Sequence, residues 1–554
     1  MNLHAGPLLV ELHGPDLRYA RSGRNEVVRR VYMAIRDLNW NTLPVEVGEV
    51  EVDDRGDEFS VRFGARNTAG EIDFSWTGTI EGMRDGSISY AMDGTAGSAF
   101  PFAKIGLCIH HPWRETAGRL FRGAAPTAPV GGELPRFIGP QIHLADEGWD
   151  LPLFEPVEWL EIDLPRGERI RFDFEGDLFE MEDQRNWTDG SFKTSSTPAS
   201  LGYHHTIDAG GRVFQRLTFR VENASGPPKR RGADVPELRL GRPLGVRVPP
   251  VGLGSGGPLS ERDAELLRAL GPAHLRVDAR RGESVEAIGF PIELALFVNG
   301  AESFVDEVAG SLGDAQVERV LVFDDSSEVT PLDLVDLVRA KLPGKVVGGG
   351  TNVYFNELNR NRPDPERLDV VAFSVNPQIH AFDNLSMVEN LEAQGETVRS
   401  TRAFSGATPI AVTPVTLRPR YNAVAVVEES DEVGGLPRNV DPRQPSQFAA
   451  AWTLGSVKNL AEAGAASLTY FETTGPRGVI DGGEPFPVYS VLAQVCALRG
   501  AELLACESSD PLAVTALAVE GTVLVANLED RVKPVRLGAR TLELGPYEVM
   551  RVET

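Results

Sequence analysis

Two glutamates stand where a barrel enzyme needs its chemistry. Asn356-Glu357 follows the glycine-rich run Gly348-Gly349-Gly350-Thr351-Asn352-Val353-Tyr354-Phe355, and Glu472 closes the run Ser467-Leu468-Thr469-Tyr470-Phe471. Both runs read as buried strands, and the C-terminal strand ends of a (β/α)8 barrel form its catalytic face. Two carboxylates on one such face can divide acid and base work when their surroundings push their proton affinities apart. The run Val375-Asn376-Pro377-Gln378-Ile379-His380-Ala381-Phe382-Asp383-Asn384 leaves another strand with a density of donors and acceptors that suits a polyhydroxylated ligand. His274, Arg276 and Asp278 share one face of a further strand by period-two alternation. A structural Arg276–Asp278 pair would account for two of them without a ligand. Glu182, Asp183, Asn186, Trp187 and Lys193 lie in the densest polar segment, residues 179–194. So many polar groups are costly to bury unsatisfied, so the segment reads as a ligand-gripping loop with Trp187 as a stacking platform, against a surface hairpin with an internal Arg–carboxylate network.

Other chemistries fit less well. Gly252-Leu253-Gly254-Ser255-Gly256-Gly257 matches a dinucleotide fingerprint, with Asp278 about 20 residues on. However, Pro249-Pro250 would sit in the preceding strand, where proline has no N–H for the ladder. Ser260 and Asp263 form an N-cap pair that starts the helix too late to set the glycines at its positive end. The glycines are therefore expected in a flexible loop at the mouth of the first barrel strand. His110-His111 and His204-His205 are adjacent, and neighbours on a strand point to opposite faces, so neither pair closes readily on one metal ion. No HExxH pattern and no GxSxG elbow is present. No cofactor and no metal is expected.

The elements that must position these groups fall into three stretches. Residues 1–240 alternate apolar and polar side chains in short runs such as Glu58-Phe59-Ser60-Val61-Arg62-Phe63, separated by turn sequences such as Asp53-Asp54-Arg55-Gly56. They predict an antiparallel β-sandwich with one early helix near 27–38. Within 241–498, strands are expected at 245–251, 274–279, 292–298, 317–324, 345–355, 370–378, 409–417 and 467–471. Helices fall between most of them, among others at 260–270, 303–312, 331–341, 386–394 and 447–463. Alternation of this length predicts a (β/α)8 TIM barrel ahead of an open doubly wound sheet. Residues 499–554 return to short alternating strands and predict a small C-terminal β domain.

Composition excludes several partner classes. Lys plus Arg number 55 against 80 Asp plus Glu, a net charge of −25 that argues against nucleic acid and anionic membranes. The longest apolar runs fall far short of the ~20 residues a membrane helix needs. The first residues lack the basic start and apolar run of a signal peptide. Cys108, Cys496 and Cys506 are too few and too scattered for a disulfide framework, so a cytoplasmic location is expected. Assembly into a homo-oligomer stays open.

Two resemblances bear on the activity. The glutamate pair resembles the (β/α)8 retaining glycosidases, in which an Asn-Glu pair supplies the acid/base and a glutamate three strands later is the nucleophile. In that clan the glutamates follow strands four and seven, whereas here the expected strands are five and eight. The runs Glu180-Met181-Glu182-Asp183-Gln184-Arg185-Asn186-Trp187-Thr188-Asp189 and Gly106-Leu107-Cys108-Ile109-His110-His111-Pro112 resemble the bacterial D-apionate lactonases, with departures at Gly190 and Ser195-Ser196. That resemblance extends to the three-part layout over essentially the whole chain. It implies opening of D-apionolactone, a small carbohydrate-derived substrate, in apiose catabolism. The expected activity is sugar-lactone hydrolysis. One of Glu357 and Glu472 would be the general base and the other the acid, with Asn356, His380 and Lys193 as oxyanion donors. A retaining glycoside hydrolase using the same carboxylates is the alternative, and a non-catalytic carbohydrate-binding protein the third.

Overall fold

Alternation builds the N-terminal sheets. In Phe59–Ala69 and Ile72–Gly82 every second side chain turns inward, and the two strands pair antiparallel along their whole length. The computed structural model describes residues 1–144, 149–150, 152–202, 204–224, 226–232, 234–281, 289–300, 302–313, 315–421, 432–433 and 435–554. Their contacts divide them into two units, one within 1–184 and 190–233, the other within 185–189 and 234–554. The first unit holds a nine-stranded and a seven-stranded sheet. Phe63, Phe172 and Phe219 of one sheet share an apolar core with Val31, Leu107 and Phe192 of the other, which makes a β-sandwich. The helix expected near 27–38 is instead a strand, Asn25–Arg36, paired on both sides by Asp16–Ser22 and Lys104–Pro112. Both of its faces are buried, so the sequence carries no alternation to tell strand from helix.

The second unit is built on eight parallel strands: Val251–Gly254, Leu275–Ala279, Ile292–Phe297, Val317–Phe323, Val346–Tyr354, Val371–Val375, Ile410–Val415 and Ser467–Thr474. The first pairs with the last and closes the barrel. The strand expected at 245–251 is divided. Gly245 to Arg247 continue a strand of the C-terminal β layer, Glu237–Arg247, and only Val251 joins the barrel, because Pro249 and Pro250 cannot donate to either ladder. The glycines expected in a mouth loop begin inside the first barrel strand. A Cβ on Gly252 would meet the His274 ring at 2.3 Å, so these glycines serve strand-to-strand approach. The helix expected at 386–394 is two helices, Asn384–Glu389 and Leu391–Ser405, which meet at Asn390. Glu237–Arg247 pairs antiparallel with Glu502–Ser508 in a seven-stranded sheet with its own apolar core, including Val514, Val523 and Val535. That sheet is the small C-terminal β domain.

Inside the barrel an ionic layer shares its strand faces with an apolar cluster that includes Ala295, Phe297, Leu321 and Phe323. The Glu293 carboxylate is fully buried and accepts from Arg319 Nε at 2.6 Å, from Thr469 Oγ1 at 3.1 Å and from Thr413. Burial alone would raise its proton affinity, yet Arg319 holds it down to about 2. His274 is driven the other way by burial, to about 4, and its ring meets Thr469 Oγ1 at 2.8 Å. Such a pair stabilises little over an apolar core, but breaking one partner leaves a stranded charge. Glu293→Gln is therefore expected to lower the unfolding free energy by ~3–5 kcal/mol, read as a fall in the urea midpoint. In the parent protein the contribution of Glu293 is complete above the ordinary glutamate range and is lost as pH falls towards about 2.

Candidate active site

Glu472 sits on the eighth barrel strand, which continues past it to Thr474. The register slips at this point: Leu253 pairs with Tyr470 and Gly254 with Glu472, so Phe471 is the extra residue of a bulge. Phe471 adopts φ 50°, a left-handed conformation that costs an aromatic residue roughly 1–3 kcal/mol. Bulges re-aim side chains beside active sites, and this one turns Glu472 into a cleft. Arg418, Arg420, Asp441, Gln444 and Arg477 also line that cleft. Arg477 Nη2 lies 2.7 Å from Glu472 Oε1. Burial raises the proton affinity of Glu472 above the ordinary range, and Arg477 and Arg420 oppose the rise.

Arg276 rises from the second strand into the barrel and spends its donors on its own strand and on two others. Nε gives to Asp278 Oδ1 at 2.8 Å, Nη1 to the Thr413 carbonyl at 2.9 Å, and Nη2 to Asn352 Oδ1 at 2.7 Å. Asn352 Oδ1 also accepts from Arg420 Nη2 at 2.7 Å, so one amide oxygen holds two guanidinium groups. Asp278 Oδ2 stands 3.5 Å from Arg420 Nη1. Burial would raise the Asp278 carboxyl, but the guanidinium groups of Arg276 and Arg420 keep it below the ordinary range. Arg276 and Asp278 do form the pair that alternation allows, and Arg420 carries it towards the cleft.

Glu357 follows the fifth strand on the short helix Phe355–Arg360 and is buried. Asn356 Nδ2 donates to Oε1 at 3.2 Å, and Arg360 Nη1 to Oε2 at 3.0 Å. Burial pushes its proton affinity up to about 7, with Arg360 opposing and the neighbouring Glu328 adding to the rise. The strand positions, five and eight, are those read from the sequence.

His380 lies beyond the sixth strand and is held by Asp189, whose Oδ2 meets its Nδ1. Asp189 Oδ1 accepts from Asn390 Nδ2 at 3.0 Å, which orients the carboxylate and through it the ring. Arg185–Asp189 belongs to the barrel unit. Asn186 Oδ1 accepts from Asn359 at 2.9 Å, Thr188 donates to the Asn376 carbonyl at 2.8 Å, and Trp187 stands edge-on to His380 at 5.4 Å. This segment thus joins the elements that follow strands five and six. Asp383 caps the helix Asn384–Glu389, accepting from Ser386 N at 3.0 Å.

Glu182, Asp183 and Lys193 belong to the first unit. Lys193 Nζ stands 3.3 Å from Glu182 Oε2, and burial holds its proton affinity below the ordinary lysine value. Asp183 is buried on the same strand as Glu182. The sequence reading missed Asp189, Asn352, Arg360 and Arg420. Asp189 lay within the polar segment already singled out, but nothing local pointed to His380 as its partner.

The geometry defines a barrel protein with carboxylates and guanidinium groups gathered about the C-terminal ends of its strands, between a β-sandwich and a small β domain in the chain. Family models for D-apionate lactonase match it in three pieces: the N-terminal domain over residues 1–224, the TIM barrel domain over 255–500, and the C-terminal immunoglobulin-like domain over 511–552. The chain belongs to the D-apionate lactonase family. A D-apionate lactonase of Brucella anthropi is 28% identical over 601 aligned residues, spanning 100% of this chain and 96% of that protein. Among solved structures, the family 51 α-L-arabinofuranosidase AbfB of Bifidobacterium longum is similar at 12% identity and a TM-score of 0.36, over 57% of this chain and 94% of that one. A putative aldose 1-epimerase of Escherichia coli K12 is similar at 12% identity and a TM-score of 0.27, over 40% and 98%. Among the described residues no helix is long and apolar enough to cross a membrane.

The shared acceptor on Asn352 sets a test. Asn352→Leu keeps the bulk but strands two guanidinium donors, and is expected to destabilise the protein by ~1.5–3 kcal/mol for each hydrogen bond lost to a charged group. Thermal melting of the two proteins reads this directly, and an unchanged midpoint would show that the arginines find other partners.

Proposed function

We propose that this chain is a carboxylic-ester hydrolase that opens a sugar lactone, D-apionolactone or a close relative, to its aldonate. The observation that carries the reading is the pair of glutamates, one on the helix that follows strand five and one on strand eight, both with raised proton affinity, in a chain that family models match in all three domains. Their surroundings differ in a way that assigns roles. Glu357, buried and beside Glu328, holds its proton near neutrality and suits the general acid. Glu472, with Arg477 and Arg420 opposing the effect of burial, suits the general base. In this mechanism Glu472 takes a proton from water as the water oxygen attacks the lactone carbonyl. The tetrahedral oxyanion then collapses, the bond to the ring oxygen breaks, and Glu357 gives that oxygen its proton.

His380, fixed by Asp189, and Trp187 would bind the hydroxylated face of the substrate, with Asn186 holding their loop in place. Lys193, Glu182 and Asp183 remain proposed substrate contacts on the ground of their polar segment alone. The three free cysteines fit a reducing, cytoplasmic setting, and the lactonase likeness carries the reading of a place in apiose catabolism. A retaining glycosidase would use the same glutamates, one as a covalent nucleophile. Membership of the lactonase family favours the lactone.

The test is proton release at constant pH with D-apionolactone and other aldonolactones, beside aryl glycosides. Glu357→Gln and Glu472→Gln are each expected to lose ~10²–10⁴-fold in kcat/KM. With Glu357 as the acid, kcat/KM of the parent enzyme falls as pH rises through about 7, and this limb disappears in Glu357→Gln. Lactone opening that survives both substitutions would move the chemistry to His380. Glycoside cleavage without lactone opening would overturn the reading.

A further inference from the structure

The cleft beside Glu472 carries more cationic donors than its own carboxylates use. Arg477 is paired with Glu472 at 2.7 Å. Asp441 is engaged by Arg443 Nη2 at 2.8 Å and by Gln378 Nε2 at 2.6 Å. Its Oδ2 stands 3.5 Å from Arg418 Nε, a buried atom that has no hydrogen-bond partner among the described residues. Arg420 anchors Nη2 on Asn352, to the carbonyl at 2.5 Å and to Oδ1 at 2.7 Å. Its Nη1 reaches only to 3.5 Å from Asp278 Oδ2, and Asp278 is already bonded to Arg276 at 2.8 Å. Two guanidinium groups thus line one cleft with donors left over, in a chain whose net charge is −25. A half-buried guanidinium without a full counter-charge gains from an anion that brings its own acceptors.

We infer that Arg418 and Arg420 form a carboxylate site for the aldonate product, and that the same donors receive the oxyanion of the ring-opening step. The inference rests on the lactonase reading for the identity of the ligand, and on the geometry alone for its charge. The chemistry links the two roles. The carbonyl oxygen that takes up negative charge when water adds to a lactone becomes one oxygen of the aldonate carboxylate. Donors placed for the first therefore grip the second, and the enzyme holds its product more tightly than any uncharged sugar of the same skeleton. Arg420 is fit for this because Asn352 and Arg276 fix its position from behind, leaving little ordering cost on binding. Burial and the neighbouring Arg276 lower its proton affinity to about 10, the mark of a cation short of counter-charge that stays protonated at neutral pH.

The experiment is calorimetric titration of the whole protein with D-apionate and with the alditol of the same carbon skeleton, which differ in charge. The parent protein is expected to bind the aldonate about tenfold or more tighter than the alditol, the preference charge-assisted hydrogen bonds provide. Arg420→Gln is expected to erase most of that preference while binding the alditol as before. Arg418→Gln gives a second, independent variant with the same expected direction, and Arg420→Lys should restore the preference only in part, since an ammonium lacks the fork of a guanidinium. Equal binding of aldonate and alditol, no binding of either, or a preference that survives both Gln variants would overturn the inference. The readout is binding, so a protein that prefers the aldonate yet opens no lactone would sink the lactonase reading and leave the anion site standing.

Discussion

The Arg276 guanidinium is a buried charge on the inner side of the barrel, and the site above it depends on how that charge is satisfied. It cannot lie unpaired in such a place without a cost of several kcal/mol. Its partners come from the second, fifth and seventh strands, through Asp278, Asn352 and Thr413. Those strands are far apart in sequence, so the arginine ties the barrel across its interior. It also determines what the partners can do next. Asn352, committed to Arg276, presents the same oxygen to Arg420 and so fixes a second guanidinium at the cleft. Asp278 is kept ionised by the two arginines and cannot compete with Glu472 for a proton.

Below this layer the barrel repeats the device with the sign reversed. Glu293 is the buried charge, and Arg319, Thr413 and Thr469 satisfy it. Thr413 serves both layers, donating to Glu293 and offering its carbonyl to Arg276. These ionic layers gain less than aliphatic packing in their place would. What they gain is a set of side chains whose positions are mutually determined, and a site needs its groups held to a fraction of an ångström.

Legibility in the sequence followed the range of the interactions. Glu357 and Glu472 could be found because each depends on a local pattern, an apolar strand followed by a carboxylate. The barrel itself was legible for the same reason, as repeated strand and helix signals. The strand Asn25–Arg36 was not, because burial on both faces removes the alternation that separates strand from helix. The division of residues 245–251 between two sheets follows from Pro249-Pro250, which argue against a dinucleotide fold and also end one strand before the other begins. Asp189 and His380 are 191 positions apart, and no spacing rule joins them. Arg420 sits in Arg418-Pro419-Arg420-Tyr421, which reads as an ordinary polar turn; only the fold shows that its charge is turned inward.

The two glutamates also show why position alone does not assign roles. One follows a barrel strand and the other interrupts one; Glu357 is buried and Glu472 half-buried, and burial raises the proton affinity of both. The difference lies in the second neighbour. For Glu357 it is a like charge, Glu328, which adds to the effect of burial. For Glu472 the neighbours that oppose burial are arginines, one paired with it directly and one held on Asn352 by the network of Arg276. Two different environments are thus produced for the same residue type by what each neighbouring element contributes. The bulge at Phe471 belongs to the same logic. Without the extra residue Glu472 would keep the strand's alternation, and the strain of a left-handed phenylalanine is the cost of turning a carboxylate into the cleft where the arginines already stand.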